Sequence, residues 1–244
     1  MSNNSNLIER LFKAGSHFGF SKSRRHPTVT PYIFANKQGT DIFDLEKTST
    51  LLEEAKEIIK TAGSQGKTVL FVGTKDEVSK LVKDYAEKTE SPYVSNRWIG
   101  GLLTNFSEIR KRIARLKDLA AEKESGELDR KYTKKERVMI GREVDKLTFN
   151  FGGVSALERT PQLMVVVDPR HDSIAVTEAK DMKVPVIGIM NSDSNLNAVT
   201  TPIVINDALT TSVDLALGEL VESYLEGKKA YVPAPAKKPV GARR

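Results

Sequence analysis

Short apolar runs rich in β-branched residues alternate with amphipathic helical patterns, and this alternation restricts the chain to few architectures. Thr68-Val69-Leu70-Phe71-Val72-Gly73 reads as a buried strand, with a helix expected from about Asp76 to Lys88. Leu163-Met164-Val165-Val166-Val167-Asp168 has the same character and leads into a helix around Ile174 to Met182. Val186-Ile187-Gly188-Ile189-Met190 and Ile203-Val204-Ile205 continue the series, and a helix from Ala208 to Leu225 follows. Strands that are apolar throughout must be covered on both faces, so the pattern predicts an α/β fold with a parallel sheet between two helical layers. The functional edge of such a sheet is the C-terminal one, where Gly, Thr and Asp cluster here.

Between Thr104 and Gly153 the alternation stops. Phe106, Ile109, Ile113, Leu116 and Ala120 follow a 3-4-3-4 spacing, and Ile140, Val144, Leu147 and Phe151 form a second seam. A polar, glycine-containing stretch, Glu124-Ser125-Gly126-Glu127, separates them. Residues 105–151 are therefore expected to form an antiparallel helical hairpin inserted into a body made of 1–104 and 152–227. The hairpin's outer faces carry Arg110, Lys111, Arg112, Arg115, Lys117, Arg130, Lys131, Lys134, Lys135 and Arg137. Residues 228–244 hold Pro233, Pro235, Pro239, Lys237, Lys238, Arg243 and Arg244, too little apolar content to fold, and read as a disordered basic tail.

Leading into the first hairpin helix is Asn96-Arg97-Trp98-Ile99-Gly100-Gly101-Leu102-Leu103-Thr104-Asn105-Phe106, which contains the only tryptophan. Thr104 and Asn105 read as the cap of the basic helix. An aromatic-basic platform continuous with a cationic helix suits docking on a polyanion. With 38 Lys+Arg against 32 Asp+Glu, the net charge of +6 is only a weak pointer to such a partner. Its distribution says more, because residues 1–40 carry Arg10, Lys13, Lys22, Arg24, Arg25 and Lys37 against the single acid Glu9. The chain has no cysteine, which removes disulfides and thiolate metal sites. Its polar N-terminus is not expected to be a secretory signal, and its apolar runs are too short to span a bilayer. A cytosolic location is expected.

Apparent catalytic motifs fail on inspection. Gly63-Ser64-Gln65-Gly66-Lys67-Thr68 resembles a phosphate loop, but Thr61 stands where the first glycine belongs. The segment also closes a helix and precedes a strand, the reverse of the order that aims amides and the helix dipole at phosphate. Val72-Gly73-Thr74-Lys75 offers one glycine where a dinucleotide fingerprint needs three. The histidines are His17, His26 and His171. The last reads as a loop residue satisfying the next helix N-terminus, since no partner nucleophile is identifiable.

Gly15-Ser16-His17-Phe18-Gly19, Arg24-Arg25, Pro31-Tyr32-Ile33-Phe34, Val72-Gly73-Thr74-Lys75, the Arg97 to Phe106 segment, Thr133-Lys134-Lys135-Glu136, Gly152-Gly153 and Asp168-Pro169-Arg170 stand in one consistent order. Together they closely resemble the bacterial small-subunit ribosomal protein S2 family, from about Leu7 to Gly227. The resemblance implies a Rossmann-like, flavodoxin-like body with a protruding coiled-coil hairpin. It implies a non-enzymatic partner of small-subunit rRNA and neighbouring ribosomal proteins, one that helps recruit the large, mobile ribosomal protein S-one. Where relatives commonly carry a second histidine, an aspartate and an Asp-Asp pair, this chain has Phe20, Asn191 and Asn206-Asp207. These positions are expected to converge on one sheet edge, with no tightly held zinc there, no cofactor, and S-one docking in question.

The candidate rRNA contacts are Lys22, Arg24, Arg25, Lys37, Arg97, Trp98, Arg110, Lys111, Arg112, Lys134 and Lys135. Trp98 either stacks on an exposed base or packs into the hairpin root, and its apolar neighbours favour packing. The competing class is an enzyme that binds a nucleotide or acidic metabolite at the strand ends, because this architecture hosts many functions.

Overall fold

The structure is a computed structural model that describes residues 2–231. Helix α1 (Ser2–Lys13) is followed by strands β1 (Phe18–Ser21), β2 (Ile33–Lys37) and β3 (Thr40–Phe43), an antiparallel sheet in the order β1-β3-β2. The β2–β3 connection is the pair Gln38 and Gly39, both at positive φ (52° and 83°), as the tight primed hairpin turn demands. The sequence reading contains no such sheet. Its strands are only four or five residues long, and β1 and β2 bury no residue, so they leave no continuous apolar run to detect.

Helix α2 (Leu45–Ser64) starts at Asp44, whose carboxylate accepts from the amides of Glu46 and Lys47. The chain then builds β4 (Val69–Val72), α3 (Asp76–Lys88) and the two-residue β5 (Tyr93–Val94). Next come α4 (Phe106–Glu124), the short α5 (Glu127–Lys131) and α6 (Lys134–Phe151). Finally β6 (Leu163–Val167), α7 (Ser173–Asp181), β7 (Val186–Met190), β8 (Thr201–Val204) and α8 (Thr210–Lys229) complete the chain. The five later strands form one parallel sheet in the order β5-β4-β6-β7-β8. This is the flavodoxin-like order, in which the strand sequence reverses between the first and third strands.

Side chains alternate across the sheet with a period of two. Val69, Phe71, Leu163, Val165, Ile187 and Ile203 face Leu52, Ile59, Val82, Leu217 and Leu220 from α2, α3 and α8. Leu70, Val72, Met164, Val166 and Val186 face Trp98, Leu103, Ile109, Phe151 and Ala175, so α7 and the roots of α4 and α6 cover the other side. That is why the strands carry no polar alternation. Helices α2 and α8 approach closely: a Cβ on Gly227 would lie 2.1 Å from the Lys60 carbonyl oxygen.

Helix α8 runs past the expected end of the body, to Lys229. Lys228 donates to the Thr89 carbonyl at 2.9 Å and lies over the Tyr224 ring, which ties the last turn to α3. The remainder of the expected basic tail, 232–244, lies outside the described residues. No helix among the described residues is long and apolar enough to cross a membrane.

Candidate nucleic-acid interface

The tryptophan segment is organised around a residue that sequence reasoning passed over. Glu178 of α7 is 7% exposed and takes five hydrogen bonds from the loop. Its Oε1 accepts from Trp98 Nε1 at 3.0 Å and the Gly101 amide at 2.7 Å. Its Oε2 accepts from the amides of Leu103 and Thr104 and from the Thr104 hydroxyl at 3.0–3.2 Å. Burial pushes this carboxyl's pKa up, but the donors from Trp98, Gly101, Leu103 and Thr104 outweigh it, and the net shift is downward. The loop is thus wrapped around a fixed negative charge, with Gly101 at φ 88° supplying the left-handed turn. The available signal was an acid on the apolar face of α7, between Val176 and Ala179.

Trp98 is 7% exposed, with its indole N–H spent on Glu178. It therefore drops out of the candidates for base stacking. Thr104 and Asn105 do not cap α4 through their side chains, because the Thr104 hydroxyl goes to Glu178 and the Asn105 carbonyl oxygen accepts from Ser107 Oγ. Arg97, beside the buried indole, is exposed.

Helices α4 and α6 run antiparallel. Ile109 and Ile113 share a cluster with Phe151 and Leu147, and Arg115 reaches Glu143 at 3.5 Å midway. The buried seam of α4 is Ile109, Ile113, Leu116 and Leu119, so the straight 3.6-residue period moves the last position from Ala120 to Leu119. Arg110, Lys111 and Arg112 point outward. Lys111 meets Glu108 at 2.6 Å, whereas Arg110 and Arg112 make no ion pair among the described residues. Lys134 and Lys135 are exposed in the first turn of α6, beside a Glu136 carboxylate that accepts from the Thr133 amide and hydroxyl. Arg110 and Lys117 also line a groove of about 550 Å³ against the segment after α6, where Arg159 adds a third cation and Glu158 the only acid of its lining. Arg159 was not among the sequence candidates.

The N-terminal cations divide differently. Arg25 makes a two-pronged pair with Asp41, Nε to Oδ2 at 2.7 Å, and Asp41 is fully buried. The Arg25 hydrogen bonds hold the Asp41 carboxyl below its usual range. That guanidinium is committed to the fold. Arg24 lies 4.4 Å over the Phe20 ring and reaches Asp193 at 3.2 Å. Lys22 and Lys37 are exposed, with no ion pair among the described residues. The structure does not merge this cluster with the hairpin. Phe43 and Val29 pack on Met190 and Val204 of β7 and β8, whereas the hairpin root covers β4 and β6.

The C-terminal sheet edge is rich in carboxylates, most of which pair with neighbouring groups. At the switch point, the Thr74 amide and hydroxyl donate to Asp172, and Lys75 Nζ donates to Asp168 Oδ2 at 3.3 Å. His171 is exposed; its backbone amide donates to Asp168, and its side chain does not cap α7. The positions expected to converge do so: the Phe20 amide donates to Ser192 Oγ, and Asn191 Nδ2 donates to Asp207 Oδ1 at 2.9 Å. Asp207 is fully buried, its Oδ2 has no partner, and burial with the nearby Asp168 pushes its pKa up to about 7. No three His, Asp or Glu side chains among the described residues are arranged to hold a metal ion. Lys75 is held by Asp168, and Arg24 and Arg170 by Asp193, so the cations of this edge are already engaged.

The family model described as ribosomal protein S2 matches residues 11–227. A small ribosomal subunit protein uS2c from Rhodomonas salina is 40% identical over 225 residues, covering 92% of each chain. Another uS2c, from Emiliania huxleyi, is 38% identical over 92% of this chain and 97% of its own. A small ribosomal subunit protein uS2 from Dictyoglomus turgidum is 38% identical over 91% of this chain and 90% of its own.

Proposed function

The chain belongs to the ribosomal protein S2 family, and on that premise we propose that it is a structural constituent of the small ribosomal subunit that grips rRNA phosphates through its helical hairpin. It performs no chemistry. The observation that carries the reading is a group of unpaired cations at the hairpin: although unpaired lysines such as Lys67, Lys80, Lys88, Lys180 and Lys183 also stand on the body, Arg97, Arg110, Arg112, Lys117, Lys134, Lys135 and Arg159 have no acidic partner within 4 Å among the described residues and gather there. Five of the seven lie on α4 or α6, and Arg97 and Arg159 flank their root. An unpaired surface cation releases counterions from a nucleic acid when it meets a phosphate, and an internally paired one does so at a cost. Lys22 and Lys37 form a second, separate contact surface in this reading, and Arg24 and Arg25 serve mainly the fold.

Replacing Arg110, Lys111 and Arg112 together by alanine tests the reading. The expected result is weaker association with small-subunit rRNA and a salt dependence flatter by about 2–2.7 logarithmic units per decade, with the circular dichroism unchanged. An unaltered slope would place these side chains in solvent on the ribosome.

Neighbouring small-subunit proteins complete the set of partners. Recruitment of ribosomal protein S-one attaches, in this reading, to the edge that carries Phe20, Asn191 and Asp207, without zinc. Metal analysis of the purified chain is expected to find far less than one zinc per molecule; a stoichiometric content would show that the edge assembles a site despite its substitutions.

A further inference from the structure

The root of the hairpin carries a second feature beside the groove lined by Arg110, Lys117 and Arg159. A cleft of about 260 Å³ opens between the end of β5 and the last turn of α6, lined by Lys83, Asn96, Arg97, Phe149 and Asn150 together with Tyr93, Ser95 and the Gly152-Gly153 backbone. We propose that this cleft receives one unpaired nucleotide of the bound RNA, with its base against Phe149 and its phosphate between Arg97 and Lys83. The inference rests on the rRNA-binding reading and assigns it a specific subsite.

The chemistry of the lining is that of a base-reading site. Phe149 is 59% exposed, and no other aromatic ring stacks on it among the described residues. An exposed phenyl at the mouth of a polar cleft leaves its face open, and every base has a face to stack on it. Asn96 donates through Nδ2 to the Phe149 carbonyl at 2.9 Å, which fixes the side chain and leaves its carbonyl oxygen able to accept. Asn150 adds another amide, with both donors and an acceptor, to meet a base edge. Arg97 has no acidic partner among the described residues, and the nearest acid to Lys83 is Glu87 at 3.9 Å. Two cations at the rim and amides within match a nucleotide's own division into phosphate and base.

Two other occupants fit less well. A free polyphosphate nucleotide lacks its cradle, because no run of backbone amides and no α-helix N-terminus is among the residues that line the cleft. A peptide adding to the sheet would need a longer free edge than the two residues of β5.

Two substitutions and one titration test the proposal on the full chain. Phe149→Ala removes the stacking face. Thr148→Trp, at an exposed position on the lining, fills the cleft and preserves Phe149. Each is expected to weaken binding to small-subunit rRNA about tenfold and leave the salt slope unchanged, because stacking displaces no counterions. In an amide NMR titration, AMP, CMP, GMP or UMP is expected to shift Ser95, Asn96, Arg97 and Asn150, and ribose 5-phosphate to shift them less. If the wild-type chain binds rRNA with a steep salt slope but both variants match it and the nucleotides shift nothing at the cleft, this inference is wrong and the phosphate-binding reading stands. If affinity and slope fall together, the loss comes through charge and the base contact is overturned. Wild-type protein that does not bind rRNA would remove both.

Discussion

Glu178 and Asp207 are both carboxylates taken out of water, and the molecule handles them in opposite ways. Glu178 sits under the hairpin root with both oxygens filled by five donors, and its pKa falls. Asp207 sits at the sheet edge with one oxygen held by Asn191 and the other empty, near Asp168, and its pKa rises to about 7. Burial acts in the same direction on both; the supply of donors decides the sign. The consequence is regional. At the root, a charge organises a loop from which a cationic arm projects, and at the edge a carboxyl is held back from ionising.

The largest effect is expected where the donors are most numerous. Glu178→Ala strands the buried Trp98 indole N–H and Leu103 amide and leaves the part-buried donors of Gly101 and Thr104 to water, and it is expected to cost about 3 kcal/mol in urea unfolding. The same variant is expected to weaken rRNA binding even though Glu178 is buried, because Arg97 and the start of α4 lose their fixed position. A cost below about 1 kcal/mol would mean that Leu102 and Leu103 hold the loop by apolar packing, and the contrast with Asp207 would lose its first member.

Asp207 supplies the next effect, with the opposite pH dependence. The unfolded chain releases this proton near 3.8 and the folded one near 7, so between those values the native state binds more protons. Stability therefore falls as pH rises through that window and levels off above it. Between pH 5 and pH 8 the loss amounts to about 2–3 kcal/mol, and Asp207→Asn, which keeps an acceptor for Asn191, is expected to abolish it. For Glu178 the sign reverses: its folded pKa lies below the ordinary 4.5, so its contribution is complete above that value and fades as pH falls through the lowered one. Unfolding curves for the two variants across pH 3–8 separate the regions. An Asp207→Asn profile parallel to wild type would show that the empty oxygen finds a donor in solution.

How much of this was legible in the chain follows from what kind of contact each residue makes. The parallel strands and α3 were readable because continuous apolar runs and a 3-4 spacing are local properties of sequence. The antiparallel N-terminal sheet was not, since β1 and β2 bury no residue and β3, which does alternate, is only four residues long. Thr104 has the composition of a cap, but Glu178 competed for its hydroxyl and won. Arg25 read as a phosphate contact because a basic cluster in sequence does not disclose that Asp41, buried beneath it, already holds one member. Glu178 itself was visible only as a charge on an apolar helix face, and its partners lie in a loop that no periodicity connects to it.

The smallest expected effect on stability comes from a pair that resembles neither carboxylate. Glu108 and Lys111 meet at 2.6 Å on the outer face of α4, with side chains 53% and 73% exposed. Water screens such a pair and both side chains lose freedom to make it, so breaking it is expected to leave the unfolding midpoint unchanged. Its influence belongs to binding. Glu108→Gln frees the Lys111 ammonium and removes a negative charge beside Arg110 and Arg112, so rRNA affinity is expected to rise about two- to threefold at low salt, with the gain vanishing as salt increases. Weakened binding would mean that Glu108 itself receives a hydrogen bond from the RNA, for instance from a ribose hydroxyl. The acids of this molecule would then fall into three kinds, one that shapes a loop, one whose ionisation is delayed to about pH 7, and one that reads the partner.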